Sequence, residues 1–361
     1  MPKVAPIRII NALAPVRICD NGGWTDTWFS GHGSIFNVAV HPSVEVQIAV
    51  YDRGTRPDQI TLHAENYGER YVVIPGQPGF RRHPLLEAAI EEVPPPVDVA
   101  LEITIFSDVP AGASTGTSAA ATVALIGALD ALTPGRMTPY EVARAAHRVE
   151  VERLGLQSGI QDQLCSAFGG VNYIEMTEYP HATVTPIHLP DALWWELERR
   201  LALVFLGKTH SSSAVHSEVI ANLEREGGGS ARLERLRRAA RESRDALQVG
   251  DFAGLGRAMS ASTDAQRALH SALVSAEAES LIRLAQEFGV IGWKVNGAGG
   301  EGGSLTLLCG DSASQKRELL RAVRQFNPLF QPIPTYLSRT GLRVWESGGL
   351  GAQPPRKTFI S

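Results

Sequence analysis

One stretch constrains this chain more than any other: DVPAGASTGTSAAATVALIGALDAL, from Asp108 to Leu132. Its second part, 117–132, has helical propensity and is apolar nearly all round. Such a helix has no face to offer water, so it must be buried. The part before it, 108–118, holds two glycines, four hydroxyl residues and no basic side chain. A strand-like ALEITIF (100–106) runs into it. The first N–H groups of a helix lack intrahelical partners and carry partial positive charge. Gly112 and Gly116 would let the backbone curl around a ligand, with Ala113 between them. The hydroxyls of Ser114, Thr115, Thr117 and Ser118 can donate to oxygens or ligate a hard cation. Together this reads as a phosphate cradle built from backbone rather than from lysine. The alternative is a core helix capped by Ser or Thr.

The rest of the chain mixes strands and helices. VEVQIAVY (44–51) alternates like a half-buried strand, and HPLLEAAIEEV (83–93) resembles a short helix. TPYEVARAAHRVEVERLG opens on a capping box, Thr138 with Glu141, has Pro139 at the first helical position and closes at Gly155. LALVFLG (201–207) reads as a strand. Residues 215–290 have helical spacing, broken by EGGGS (226–230). IGWKVNGAGGEGGSLTLLC (291–309) reads strand, glycine turn, strand. Without a regular βαβ rhythm, the class is α+β. At roughly 150 residues per domain, 361 residues suggest two domains. The composition turns from strand-rich to helix-rich near 190, which places one domain at 1–190 and another at 191–361.

The bulk properties exclude several partners. A formal charge of -4 gives no basic footprint for nucleic acid or an anionic membrane. Cys19, Cys165 and Cys309 are far apart, with no zinc spacing, and read as incidental thiols in a reducing compartment. The N-terminus has no signal-peptide core and no stretch is long and apolar enough to span a bilayer, so the expectation is cytoplasmic. Two phosphate signatures fail: GKT (207–209) lacks the earlier P-loop glycine, which is Ala202. GAGGEG (297–302) matches a dinucleotide fingerprint by letters but precedes a strand. It reads as a close-packed turn near a ligand or beside another loop.

Two more segments carry chemistry. In GIQDQLCSAFGG (159–170), Asp162 sits between two glutamines, as a fixed acid or as the cap of the next helix. Glu150 lies upstream, as a magnesium ligand beside a hydroxyl or on a solvated helix face. In APVRICDNGGWTDTWFSGHG (14–33), Arg17 precedes a glycine pair, Trp24, Thr25 and Asp26. A carboxylate beside an aromatic suits a sugar, which offers hydroxyls and a flat apolar face. The alternative is a tight hairpin with an exposed aromatic.

In this order, the segments resemble the motifs of the GHMP kinases, the family of galactokinase, homoserine kinase, mevalonate kinase and phosphomevalonate kinase. APVRICDNGGWTDT is similar to the first motif, VPAGASTGTSAA to the second and VNGAGGEGGSLTLL to the third. GGWTDT, VEVERLG and GIQDQLCSAFGG most resemble the branch of heptose 7-phosphate kinases and the fucokinase domain, which phosphorylates an anomeric hydroxyl. The resemblance implies an α+β fold with a ribosomal protein S5 domain 2-like first half and a ferredoxin-like second half. It implies ATP phosphates wrapped by residues 112–118, and Mg²⁺ on Ser118 and Glu150. Asp162 would orient or deprotonate the sugar hydroxyl, and Arg17 would neutralise charge at the transferring group. Gly23, Trp24, Thr25, Asp26 and Gly170 would hold the sugar. Ser114 and Thr115 stand where the family has glycine and leucine, which stiffens the loop. His210 stands where heptose kinases often carry arginine, which favours a neutral sugar. Other acceptors of the same class are an N-acetylhexosamine, a uronic acid or a mevalonate-like alcohol. A non-catalytic sugar and ATP sensor is a different class, and an exposed hydrophobic edge could make a homodimer.

Overall fold

The computed structural model describes residues 4–77, 79–134, 136–208 and 213–347. The first part of the chain runs β1 (Arg8–Asn21), β2 (Gly33–Asp52), β3 (Ile60–Ala64), β4 (Glu69–Val73), α1 (Pro84–Glu92), β5 (Val99–Ser107) and α2 (Thr117–Asp130). It continues with α3 (Pro139–Arg148), α4 (Gln161–Phe168), β6 (Val171–Glu178) and β7 (His181–Pro186). Then come α5 (Asp191–Arg200), β8 (Leu201–Phe205), α6 (Ser213–Glu226), α7 (Ala231–Gln248), α8 (Phe252–Leu269) and α9 (Ala276–Glu287). The chain ends with β9 (Val290–Val295), β10 (Ser304–Cys309), α10 (Ala313–Phe326), β11 (Gln331–Ile333), β12 (Tyr336–Leu337) and β13 (Arg343–Ser347).

Among the described residues the strands form two sheets. The larger has the order β13-β1-β2-β5-β3-β4, with β6 and β12 on β2 and β7 on β6. Only its β3–β5 pair is parallel. The smaller sheet, β11-β8-β10-β9, is antiparallel. Strands and helices do not alternate as βαβ units, in keeping with the α+β expectation. The long β2 is the organiser: its first half pairs β6 and its second half pairs β5. β12 and β13, which follow the smaller sheet in sequence, pair with β2 and β1 of the larger one.

Three packing centres follow from the apolar pattern. Helices α1 to α4 lie with the large sheet in one extended core. The helix α2 is covered on all sides, with Ala120, Val123, Ala124, Leu125 and Ile126 essentially inaccessible. The capping box is present: Thr138 Oγ1 accepts from the Glu141 N–H, and Glu141 Oε2 accepts from the Thr138 N–H at 2.7 Å. A second core joins the small sheet to α9 and α10. A third gathers Trp24 and Phe29 with apolar residues of α6, α7 and α8. Helix α8 touches both β1 and β9, so it links the two sheets beside the site. Among the described residues no helix is long and apolar enough to cross a membrane. All three cysteines are free and buried.

Candidate active site

The 108–118 loop leaves β5 and enters α2. Its backbone turns left-handed at Gly112 (φ 76°), Ser114 (φ 55°) and Gly116 (φ 72°). Gly116 is the N-cap of α2, and no side chain caps that end. The Ser/Thr-capped reading therefore fails, and the first N–H groups of α2 remain available for an anion. Gly116 also meets a steric demand. A Cβ there would lie 3.0 Å from Asp162 Oδ2. The loop and the acid are thus in contact, although they are distant in sequence.

Arg17 ties the two together. Its Nε donates to Asp162 Oδ1 at 2.8 Å and its Nη2 to Oδ2 at 3.1 Å. Its Nη1 donates to the Ser114 carbonyl, and its backbone N–H to the Thr115 carbonyl at 2.9 Å. Burial by itself would lower the guanidinium pKa, but Asp162 and Asp20 hold it above its ordinary value. The bidentate pair fixes both carboxylate oxygens. Asp162 occupies the first turn of α4, yet its side chain is spent on Arg17 and does not cap the helix.

The glycine turn after β9 closes over the loop from the other sheet. A Cβ on Gly297 would stand 3.1 Å from Ser114 Cβ, and Ser304 Oγ donates to the Ala113 carbonyl at 2.6 Å. This is the close-packed turn expected from GAGGEG, and it leads into β10, not a helix.

Two cavities flank the loop. The smaller, about 170 Å³, is lined by Arg17, Asp20, Gly23, Trp24, Asp26 and Asp162, with aromatic walls from Trp28 and Phe29. Trp24 is only 9% exposed, which removes the exposed-aromatic hairpin reading. It stands at φ 77° and meets the His216 ring edge-on at 5.5 Å. Among the described residues, the non-glycines with positive φ are Cys19, Trp24 and Ser114. Strained backbone thus concentrates in the segments around this cavity, where surrounding contacts over-determine it. Asp26 Oδ2 accepts from the Gln161 N–H at 3.0 Å. Burial pushes its carboxyl up to about 6, and the charges of Asp162 and Asp20 push the same way.

The larger cavity, about 490 Å³, lies on the other side of the loop, between Thr117 and Ser118 of α2 and a wall made by Asn66, Tyr67, His83 and Leu86. Asn66 is locked to the strand end through two bonds with the Ser107 backbone, at 2.7 and 2.8 Å. From sequence, the region 50–100 could be expected to cover a nucleotide, but no residue of this wall could be named. It is assembled from single residues on a short turn and a helix start, so no local pattern announces it.

Glu150 lies in a π-helical turn, Val149–Arg153, that continues α3. It is 8% exposed, which rules out the solvated helix face. Its Oε2 accepts from Ser158 Oγ at 2.5 Å. Burial pushes its carboxyl up to about 7, with Asp162 adding to the push. A buried carboxylate that lacks solvation is a fit donor for a hard cation, whereas Ser118 lines the larger cavity at the start of α2. Among the described residues no three His, Cys, Asp or Glu side chains form a metal cluster by themselves.

Two expected residues do not line the smaller cavity. Thr25 is fully buried, and its hydroxyl is committed to the turn: it donates to the Gly22 carbonyl at 2.7 Å and accepts from the Ser34 N–H at 3.1 Å. Gly170 is a joint of the large sheet, donating to the Ser338 carbonyl at 2.7 Å and accepting from the Ala39 N–H at 2.8 Å. Both shape the fold rather than a ligand surface. His210 lies outside the described residues.

Comparison with known proteins points to one family. The family "GHMP kinases N terminal domain" matches residues 84–170, and "GHMP kinases C terminal" matches 243–329. A D-glycero-alpha-D-manno-heptose 7-phosphate kinase of Campylobacter jejuni is 26% identical over 66% of this chain and 69% of its own length. An L-fucokinase/L-fucose-1-P guanylyltransferase of Bacteroides fragilis is 25% identical over 94% of this chain, which spans 39% of that longer protein. A mevalonate kinase of Thermococcus sibiricus is 29% identical over 67% of this chain and 68% of its own length. Among solved structures, a D-glycero-D-manno-heptose 1-phosphate kinase from Bacteroides thetaiotaomicron shares the fold, with a TM-score of 0.71 at 22% identity over 93% of this chain and 98% of that one. Both family regions occur in order, and the glycine turn of the second closes over the loop of the first, so this chain carries the N- and C-terminal domains of the GHMP kinases and is an enzyme of that family.

Proposed function

We propose that the protein transfers the γ-phosphoryl group of ATP to a sugar hydroxyl, the anomeric one, with Mg²⁺. The observation that carries this reading is the contact between Gly116 and Asp162, because it sets an uncapped helix N-terminus beside a fixed carboxylate. Residues Gly112, Ala113, Ser114, Thr115, Gly116, Thr117 and Ser118 wrap the phosphates. Adenine occupies the larger cavity. Ser118 and Glu150 would hold the Mg²⁺, which would offset the charge of the phosphates.

The acceptor occupies the smaller cavity. Trp24 covers its apolar face, and Asp26 and the Gly23 backbone take its hydroxyls. Asp162 receives the hydrogen bond of the reacting hydroxyl. As the acceptor oxygen bonds to the γ-phosphorus, the bond to the β–γ bridging oxygen breaks and ADP leaves. Arg17, already between Asp162 and Ser114, faces the charge that builds up there. Three carboxylates line this cavity and its arginine is engaged by one of them. That balance favours a neutral sugar, such as fucose, over one carrying a phosphate or carboxylate. We also propose that residues 1–190 and 191–361 are the two functional halves, one supplying the loop and acid and the other the glycine turn.

The test is acceptor-dependent ADP release with Mg·ATP over heptose 7-phosphate, fucose, mannose, galactose, glucuronate, N-acetylhexosamines and mevalonate, with phosphorus NMR on any product. A sugar 1-phosphate is the expected product. Asp162→Asn should lower kcat by about 10²–10⁴ on the best acceptor. Unchanged turnover in that variant would sink the assignment. ATP binding with silence across the panel would favour the sensor.

A further inference from the structure

The site holds a buried ion pair that the transfer chemistry does not use. Asp20, on β1, is inaccessible, and Lys294, on β9, is 2% exposed. Lys294 Nζ donates to Gln266 Oε1 at 2.9 Å and to the Val295 carbonyl, and lies 3.5 Å from Asp20 Oδ1. Two of the ammonium donors are thus taken by neutral oxygens, and the carboxylate of Asp20 supplies the counter-charge. Asp20 Oδ2 accepts from the Gly297 N–H at 2.9 Å. Its Oδ1 makes no hydrogen bond and is shared, at 3.5 Å and 3.9 Å, by Lys294 and by Arg17 Nη1. Charges therefore alternate Asp162, Arg17, Asp20, Lys294, running from α4 through β1 to a strand of the other sheet.

Arg17 is thus presented with two carboxylates. It binds Asp162 through two hydrogen bonds and stands off Asp20. A dry carboxylate with one bare oxygen would compete strongly for that guanidinium if nothing else neutralised it, because desolvated charges demand a partner. We propose that Lys294 is a positioning residue: by neutralising Asp20 it leaves Arg17 to Asp162, so that the second sheet sets the geometry of the acid at the reacting centre. The effect on rate rests on the kinase reading above. The effect on Arg17 does not.

The experiment compares Lys294→Met, Asp20→Asn and the double variant in the full chain. Kinetics on the best acceptor are read beside the ¹⁵N NMR signal of the Arg17 Nε–H, assigned by its loss in Arg17→Lys. In Lys294→Met, kcat should fall by about ten- to a hundredfold, as a small misplacement of a reacting group would cause. Both KM values should stay within about threefold, because substrate binding is not the function lost. The Arg17 signal should shift. Asp20→Asn removes the competitor and should leave that signal in place. The double variant should regain most of the kcat lost in Lys294→Met, which a merely structural lysine would not permit. An unchanged signal and kcat in Lys294→Met would overturn the proposal, as would a double variant no better than the single one. If Lys294→Met does not fold, loss of the Arg17 signal in Asp20→Asn overturns it and retention supports it. If the wild type turns over no acceptor, the kinase reading fails while the NMR arm still decides this one.

Discussion

The two sides of the 108–118 loop solve opposite problems. On the side of the larger cavity, the polar groups are backbone N–H groups at an uncapped helix end, and the first side chains of that helix are small. Backbone donors need no counter-charge, so this side carries little electrostatic cost. On the side of the smaller cavity, the groups are carboxylates: Asp26 buried and Asp162 partly so, with a third, Asp20, buried in its ion pair with Lys294. Each requires a cation, an N–H or a raised pKa to stay in place. The first side can therefore be built from local backbone geometry, whereas the second must be built from long-range charge pairing.

The contrast can be broken at its hinge. Gly116→Ala would place a Cβ 3.0 Å from Asp162 Oδ2 at φ 72°. A left-handed non-glycine residue costs roughly 1–2 kcal/mol before any clash is counted. This variant should raise the KM for ATP and also lower kcat by at least about tenfold, since it disturbs both sides at once. Steady-state kinetics with each substrate varied would check it. An effect on ATP alone would show that the two sides are less tightly joined than the contact implies.

A narrower change sharpens the comparison. Asp26→Asn keeps the shape but removes a charged acceptor, worth about 1.5–3 kcal/mol per hydrogen bond. The KM for the sugar should rise by about ten- to a hundredfold while the KM for ATP stays put. Isothermal titration with a non-hydrolysable ATP analogue, before and after adding sugar, would separate the two.

The smallest expected effect concerns pH and metal. Glu150 is raised from 4.5 to about 7 in the folded protein. A carboxyl with a raised folded pKa binds its proton more tightly when folded. Its contribution to stability is therefore present below about 4.5 and is lost as pH rises towards about 7. Asp26, raised from 3.8 to about 6, acts in the same sense over a lower window. Without metal, thermal stability should decline across this range. Mg²⁺ should raise Tm more at pH 8 than at pH 5, because it binds the ionised form. Glu150→Gln should reduce the pH slope and abolish the metal effect in melting curves. A metal effect that survived in Glu150→Gln would place the ion elsewhere.

Much of the fold was legible because its signals are local. The Thr138–Glu141 capping box, the all-round apolar helix α2 and the alternation in β2 and β5 each depend on residues within a few positions of one another. The candidate site was legible to the same depth. Gly116, Trp24 and Asp26 could be singled out because glycine-rich turns with unusual neighbours have few structural uses. Thr25 and Gly170 were misread for the same reason. Sequence shows that a turn is special, but not whether its residues face a ligand or tie the turn together.

What the sequence by itself determined was the set of parts: an open-ended buried helix, a glycine turn bearing Trp24 and Asp26, an acid between two glutamines and a third glycine turn, in an α+β order. What only the tertiary structure decided was how they meet. Arg17 and Asp162 are 145 positions apart, and Asp20 and Gly297 are 277 apart. No periodicity or propensity reaches that far. Partners at such separations are chosen by the packing of sheets and helices around them, and by the free-energy cost of leaving any buried charge alone.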